Sequence, residues 1–293
     1  MKKYQHRARK TDEFTLDTPP TIRAKKKYGQ HFLTNAGLVS KIVAEANIAP
    51  GDKVLEIGPG QGALTKQLLE AGADLTVVEI DPDMREIIAR DFPQVRIIDA
   101  DASQIDFASV LDTSHTWKCV SNLPYNVGTK ITQNLLLSSV AKSTENSVYF
   151  SDLILMLQKE VGERMVAEPD DRNRGSLSSF VQSCCASVEK CFLLPPGAFS
   201  PPPSVDSVVV HLCPLPSPIF APVSVDTFET LNKALFTQPR KTIKNSVKKD
   251  LSPEAILYLQ NNSSVSFSAR PANLSNQDIV DLVKLFDKFL QSC

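Results

Sequence analysis

The chain has 293 residues, 42% of them hydrophobic and 22% charged, which fits a folded globular protein and excludes disorder along its whole length. No apolar run approaches the roughly 20 residues of a bilayer-spanning helix, and no apolar stretch follows the basic start to make a secretory signal. The net charge of −1 conceals two basic segments: residues 1–27 hold nine Lys and Arg against three acids, and 236–249 hold five against none, so an anionic partner such as nucleic acid competes with a merely solvated surface.

Residues 1–22 are polar and end in Pro19-Pro20, which reads as a flexible basic arm. Leu38, Ile42, Val43 and Ala46 then recur at helical spacing, with Thr34 or Asn35 as N-cap. Lys53–Ile57 is a short apolar strand that runs into Gly58-Pro59-Gly60-Gln61-Gly62 and a helix carrying Leu64 and Leu68. Further strands are expected at 75–79, 95–98, 118–121 and 152–157, with helices over 82–90 and 131–137. Strands alternating with helices imply a parallel sheet covered on both faces.

A helix over 177–185 and two β-like runs, 188–194 and 205–212, follow. The loop between those runs, 195–203, is rich in proline, and the pair reads as antiparallel. The segment 214–223, also proline-rich, reads as a linker. Beyond it Phe228, Leu231 and Leu235, then Ile279, Leu282, Val283 and Phe286, recur at helical spacing and predict a small all-helical unit over 224–293.

Cys119, Cys184, Cys185, Cys191, Cys213 and Cys293 form no C-x-x-C pair, and the four histidines are far apart in sequence. Zinc-site spacing is absent and a disulfide framework is not expected, so the reading is reduced thiols, no metal and a cytoplasmic protein.

Chemistry concentrates in a few places. The glycine turn 58–62, between strand and helix, permits a sharp bend and a ligand's close approach to the backbone. Glu79 closes the next strand, about 20 residues on, where a carboxylate can accept from ribose hydroxyls. A dinucleotide and S-adenosylmethionine both fit that pair. The G-x-G-x-G spacing and the acids Glu56, Asp81, Asp99 and Asp101 suit the second, whose sulfonium is cationic, while turn or N-cap duty is the alternative for the aspartates. Asn122-Leu123-Pro124-Tyr125 follows the fourth strand, at the sheet's carboxyl end. There the Asn122 oxygen and a backbone carbonyl beside Pro124 can accept both N–H bonds of an aromatic amine and turn its lone pair toward a methyl donor. Tyr125 offers a ring face for the base. Phe199 could clamp the other face, or be a core residue. Lys26, Lys27 and the following Tyr28–Leu33, with His31, could cover a ligand and touch phosphate.

These residues together resemble the small-subunit rRNA adenine N6-dimethyltransferase family. The carriers are GQHFL (29–33), EIGPGQGALT (56–65), VVEID (77–81), DAD (99–101), NLPY (122–125), LQKEV (157–161), PPGAFSPPPSVDSVVV (195–210) and RKTIKNSV (240–247). The resemblance implies a Rossmann-like class I methyltransferase sheet of seven strands, the last pair partly antiparallel, over 23–213, and a C-terminal helical RNA-binding domain over 224–293. It implies transfer of methyl groups from S-adenosylmethionine to N6 of two adjacent adenosines near the 3′ end of 16S rRNA within the pre-30S particle. His31, Leu33, Gly58, Glu79, Asp101 and Asn122 would hold the cofactor. Asn122, Pro124, Tyr125 and Phe199 would present the base, and Lys26, Lys27, Arg240, Lys241, Lys244 and Lys248 would meet RNA. Many bacterial members have Asn where this chain has His31. A large-subunit (23S) rRNA methyltransferase of the macrolide-resistance type is the near alternative, and an NAD-dependent oxidoreductase the distant one. A monomer without membrane attachment is the default.

Overall fold

The structure is a computed structural model that describes residues 30–139 and 147–292; the expected arm at 1–22 and Lys26 and Lys27 lie outside the described residues. In chain order the elements are β1 (Phe32–Leu33), α1 (Ala36–Glu45), β2 (Lys53–Ile57), α2 (Ala63–Glu70), β3 (Asp74–Val78), α3 (Pro82–Asp91), β4 (Arg96–Ile98), α4 (Phe107–Val110), β5 (Thr116–Asn122), α5 (Gly128–Ser139), β6 (Tyr149–Gln158), α6 (Lys159–Met165), α7 (Ser176–Cys184), β7 (Cys185–Leu194), β8 (Phe199–Ser200), β9 (Ser207–Pro214), α8 (Val225–Phe236), α9 (Ile243–Val247), α10 (Pro253–Asn262) and α11 (Asn276–Ser292).

Seven strands form one sheet in the order β4-β3-β2-β5-β6-β9-β7. The first five run parallel, and β9 is antiparallel to both β6 and β7, so one reversed strand accounts for the expected antiparallel pairing. The chain winds outward from β2 in both directions, toward β3 on one side and β5 on the other. The gap beyond the carboxyl ends of β2 and β5 is therefore the topological switch point, where an open α/β sheet leaves room for a ligand.

Local chemistry explains most boundaries. Asn35 caps α1 by accepting from Leu38 N at 3.0 Å, and Asp81 caps α3 by accepting from Asp83 N at 3.2 Å, with Pro82 at the first helical position. The strands are apolar on both faces because helices cover both. Val54, Val77, Ile154 and Val209 pack with α1 and α2, while Leu55, Leu155 and Val210 pack on the opposite side. That second side is continuous with Phe228, Leu231, Leu235, Ile279, Leu282, Val283 and Phe286, all buried and all foreseen from their spacing.

Two features differ from the expected layout. Within the segment read as a linker, Phe220 is fully buried and stacks on Phe228 with ring centroids 4.2 Å apart, so the segment is packed ground. Arg174, itself buried, donates to Ala167 O at 2.9 Å, to Leu274 O at 3.1 Å and to Asn276 Oδ1 at 2.7 Å, tying α11 to the sheet-forming part. The strand expected over 205–212 runs instead over 207–214, and Val205 is exposed. No helix among the described residues is long and apolar enough to cross a membrane.

Candidate active site

A cavity of about 590 Å³ opens at the switch point, lined by residues from the segment 30–33, the glycine turn, the end of β3, Asp101 and the 122–127 loop. The turn forms its floor. Gly58, Gly60 and Gly62 have φ of +66°, +55° and +84°, a region that costs a side-chain-bearing residue roughly 1 kcal/mol or more. A Cβ at Gly60 would lie 2.9 Å from the Phe32 ring, and one at Gly62 2.4 Å from Phe92. At Gly58 the nearest atom to such a Cβ is Pro124 Cδ at 4.0 Å, so that position is kept bare beside the cavity without crowding from the protein.

Carboxylates line the other walls. Glu56 is buried beneath the turn and accepts from Thr65 Oγ1 at 2.7 Å; burial pushes its carboxyl up to about 8. Glu79 is buried at the end of β3 and accepts from Asp81 N at 2.8 Å, and burial again raises its carboxyl. For Asp101 burial acts upward, but hydrogen bonds from Ser103 N, Ser103 Oγ and Gln104 Nε2 outweigh it and hold the group ionised below the usual range. The other two aspartates do not line the cavity. Asp81 caps α3 and accepts from Gln30 Nε2 at 2.9 Å, and Asp99 pairs with Arg85 at 2.5 Å.

Asn122 ends β5 and is half-buried on the cavity wall. Its Nδ2 donates to the main-chain oxygen of His31 at 3.0 Å. A carbonyl can only accept, so this contact assigns the amide: nitrogen toward His31, and Oδ1 left as the acceptor for a ligand amine. The adjoining strands are pinned by Ser121, whose Oγ accepts from Ile57 N at 2.8 Å. Tyr125 stands three residues past the end of β5 with its hydroxyl against Ser207 Oγ, and the His31 ring stacks on its face at 5.3 Å between centroids. His31 Nδ1 in turn meets Pro201 O at 2.8 Å.

The structure brings His31, Leu33, Gly58, Glu79, Asp101, Asn122, Pro124 and Tyr125 to one cavity. It does not bring Phe199 there. That ring is 4% exposed and packs with Leu33, Leu194 and Ala198, because β8 pairs with β1 (Leu33 opposite Phe199, Phe32 opposite Ser200) and turns it into the core. The aromatic partner of Tyr125 is therefore His31, not Phe199. The ladder and Ser207 fall within the motifs 29–33 and 195–210, which give them no role, and Ser121 lies in no motif. Arg240, Lys241, Lys244 and Lys248 do not line the cavity; they are exposed around α9 and form no ion pair among the described residues.

The cavity fits S-adenosylmethionine on two counts: bare backbone at Gly58, and acidic side chains on the wall, with Glu79 an acceptor for ribose hydroxyls and Asp101 an ionised group for a cationic ligand.

Comparison with known proteins agrees with this geometry. The sequence profile of the family described as "Ribosomal RNA adenine dimethylase" matches residues 21–288. The ribosomal RNA small subunit methyltransferase A of Pseudomonas savastanoi pv. phaseolicola is 40% identical over 268 residues, covering 90% of this chain and 94% of that protein. Its namesake from Pseudomonas aeruginosa is 40% identical over 237 residues, covering 80% and 85%. Among solved structures, a dimethyladenosine transferase from Plasmodium falciparum superposes with a TM-score of 0.68 at 27% identity, covering 88% of this chain and 98% of that one. The 23S rRNA methyltransferase ErmE shares the fold, with a TM-score of 0.58 at 20% identity over 87% and 99%. Over residues 21–288, the chain belongs to the ribosomal RNA adenine dimethylase family.

Proposed function

We propose that this protein methylates N6 of two adjacent adenosines near the 3′ end of 16S rRNA in the pre-30S particle, giving N6,N6-dimethyladenosine. The observation that carries the reading is the orientation of Asn122: its nitrogen is committed to the His31 carbonyl, so its oxygen is left as an acceptor in the cavity that the glycine turn also lines. An aromatic amine delocalises its lone pair into the ring and is a poor nucleophile. Accepting its N–H bonds favours a more tetrahedral nitrogen whose lone pair is available.

S-adenosylmethionine supplies an electrophilic methyl group when bound. Glu79 would accept hydrogen bonds from its ribose, Asp101 would meet its adenine, and Gly58, Leu33 and the His31 segment would hold the methionine end. Asn122 and Pro124 hold the target amine. Tyr125 stacks the base, in the slot that the His31 ring marks. Catalysis rests on positioning and on fixed dipoles. Arg240, Lys241, Lys244 and Lys248 neutralise rRNA phosphates, which supplies affinity without base choice. A cytoplasmic monomer suffices for this work.

The test is mass spectrometry of rRNA fragments after the purified protein is incubated with labelled S-adenosylmethionine and immature 30S particles. Two neighbouring adenosines should each gain two methyl groups. Methylation of 23S rRNA alone would select the large-subunit alternative, and no methylation of either rRNA would remove the reading.

A further inference from the structure

A second group of chemically capable side chains lies outside the active site, at the amino-terminal half of β6 and the facing part of β9. Asp152 Oδ1 is 2.8 Å from His211 Nε2, Cys213 Sγ is 3.5 Å from the same nitrogen, and Cys213 Sγ is 4.0 Å from Asp152 Oδ1. All three side chains are half-buried and open to solvent on one side. The strand register explains the convergence. Asp152 precedes Leu153, which pairs with Leu212, so Asp152 stands beside Cys213, and His211 projects from the same face two residues earlier.

Two ordinary explanations fail. A Cys-His-Asp relay needs the thiol on one ring nitrogen and the carboxylate on the other. Here both face Nε2, so no proton can pass through the ring between them. Nor is a lysine the partner of Asp152, whose one ion-pair contact among the described residues is His211 itself. Lys118, the register neighbour of Asp152 on β5, spends its ammonium on Asp52 at 2.9 Å and on the carbonyls of Ala46 and Asn47.

We propose that Asp152, His211 and Cys213 form a zinc-binding site with a fourth position open to water. Ligand atoms of a tetrahedral zinc lie about 3.3–3.7 Å apart, from bonds of roughly 2.0–2.3 Å. The observed separations of 2.8, 3.5 and 4.0 Å bracket that range, so small side-chain rotations complete the site. One borderline nitrogen, one soft sulfur and one oxygen donor suit zinc better than magnesium or calcium, which take oxygen donors. Ser151 Oγ holds the second carboxylate oxygen at 2.7 Å and fixes the other toward the histidine, the outer support such ligands ordinarily have. Local spacing of Cys and His could not disclose the site, because its third ligand is 59 residues from His211. Zinc here would clasp β6 to β9, far along the sheet from the cavity, and would leave methyl transfer unaffected.

The full-length protein, stripped with chelator, is titrated with Co2+ and then with Zn2+. The expected result is one tightly held Co2+ per chain, with intense tetrahedral visible bands and a thiolate charge-transfer band in the near ultraviolet. Zn2+ should displace it and raise the melting temperature. Cys213→Ser should abolish the charge-transfer band, and His211→Ala and Asp152→Asn should each weaken binding tenfold or more. Cys191→Ser should change nothing, and circular dichroism checks that each variant folds. Absence of the band in the parent protein, or its survival in Cys213→Ser, overturns the proposal.

Discussion

The Asn122 side chain and the His31 main chain are joined by one hydrogen bond, 3.0 Å long, across 91 residues of sequence. Because the acceptor is a backbone carbonyl, the bond depends on residue 122 and on the path of the segment 30–33, not on the histidine ring. Asn122→Asp would place a carboxylate oxygen against that carbonyl, turn the side chain away and lose the donor. Methyl incorporation into rRNA should fall by about 10²–10³-fold, the usual cost of removing one oriented polar group from a reacting centre. His31→Ala keeps the carbonyl and should cost less than about tenfold, through lost stacking on Tyr125. Equal losses in the two variants would show that the ring, not the main chain, sets Asn122.

Glu56 makes stability depend on pH. Its carboxyl is held protonated in the fold up to about pH 8, while its ordinary value is 4.5. The folded state thus binds the proton more tightly than the unfolded chain, so stability contributed by this group is present below pH 4.5 and is lost as pH rises toward 8. The slope is about 1.4 kcal/mol per pH unit within that window. Glu56→Gln keeps an acceptor for Thr65 and removes the slope. Thermal melts of both proteins should diverge from pH 5 to pH 8, with the variant the more stable at pH 8. Parallel curves would mean that Glu56 is ionised in the fold.

How much of this could be read in the sequence depends on the range of the interaction. Strand, glycine turn and helix over 53–70 are legible because each signal is local: an apolar run, residues suited to positive φ, then apolar spacing of three and four. The buried positions of α8 and α11 are legible for the same reason. What escapes is what two distant segments make together. The β1–β8 ladder is two residues long on each side, too short for any periodicity, yet it decides that Phe199 faces the core. Phe220 sits in a proline-rich stretch whose composition reads as a linker, and only its stacking on Phe228 shows otherwise. Asp81 and Asp99 carry the same acidic signal as Glu79 and Asp101, and only the positions of α3 and Arg85 separate structural from cavity-lining carboxylates.

The glycine turn separates fold from ligand binding. Alanine at Gly62 meets both a left-handed backbone and a Phe92 ring at 2.4 Å, whereas alanine at Gly58 meets the same backbone cost and nothing nearer than 4.0 Å. Gly62→Ala should therefore lower the melting temperature by more, with roughly 1–3 kcal/mol of overpacking added to the backbone cost. Gly58→Ala should keep more of its stability and lose affinity for S-adenosylmethionine by tenfold or more in calorimetric titration, since its methyl group stands at the cavity floor. Unchanged affinity in Gly58→Ala would move the ligand away from the turn.

The exposed cations around α9 are the last part to be tested apart from chemistry. Ile243, Ser246 and Val247 face the core, so the backbone of this short helix is anchored while Lys244 and Lys248, with Arg240 and Lys241 just before it, point to solvent. Replacing all four by Gln should leave the fold intact and weaken rRNA binding uniformly across sequences. Each lost phosphate contact reduces the slope of log K against log salt by about 0.7–0.9, so the slope should fall by up to roughly 3. At saturating rRNA the rate should stay close to that of the parent, because Asn122 and Tyr125 lie at a different place. A large fall in the saturated rate with an unchanged salt slope would mean that these side chains order the active site instead of holding phosphate.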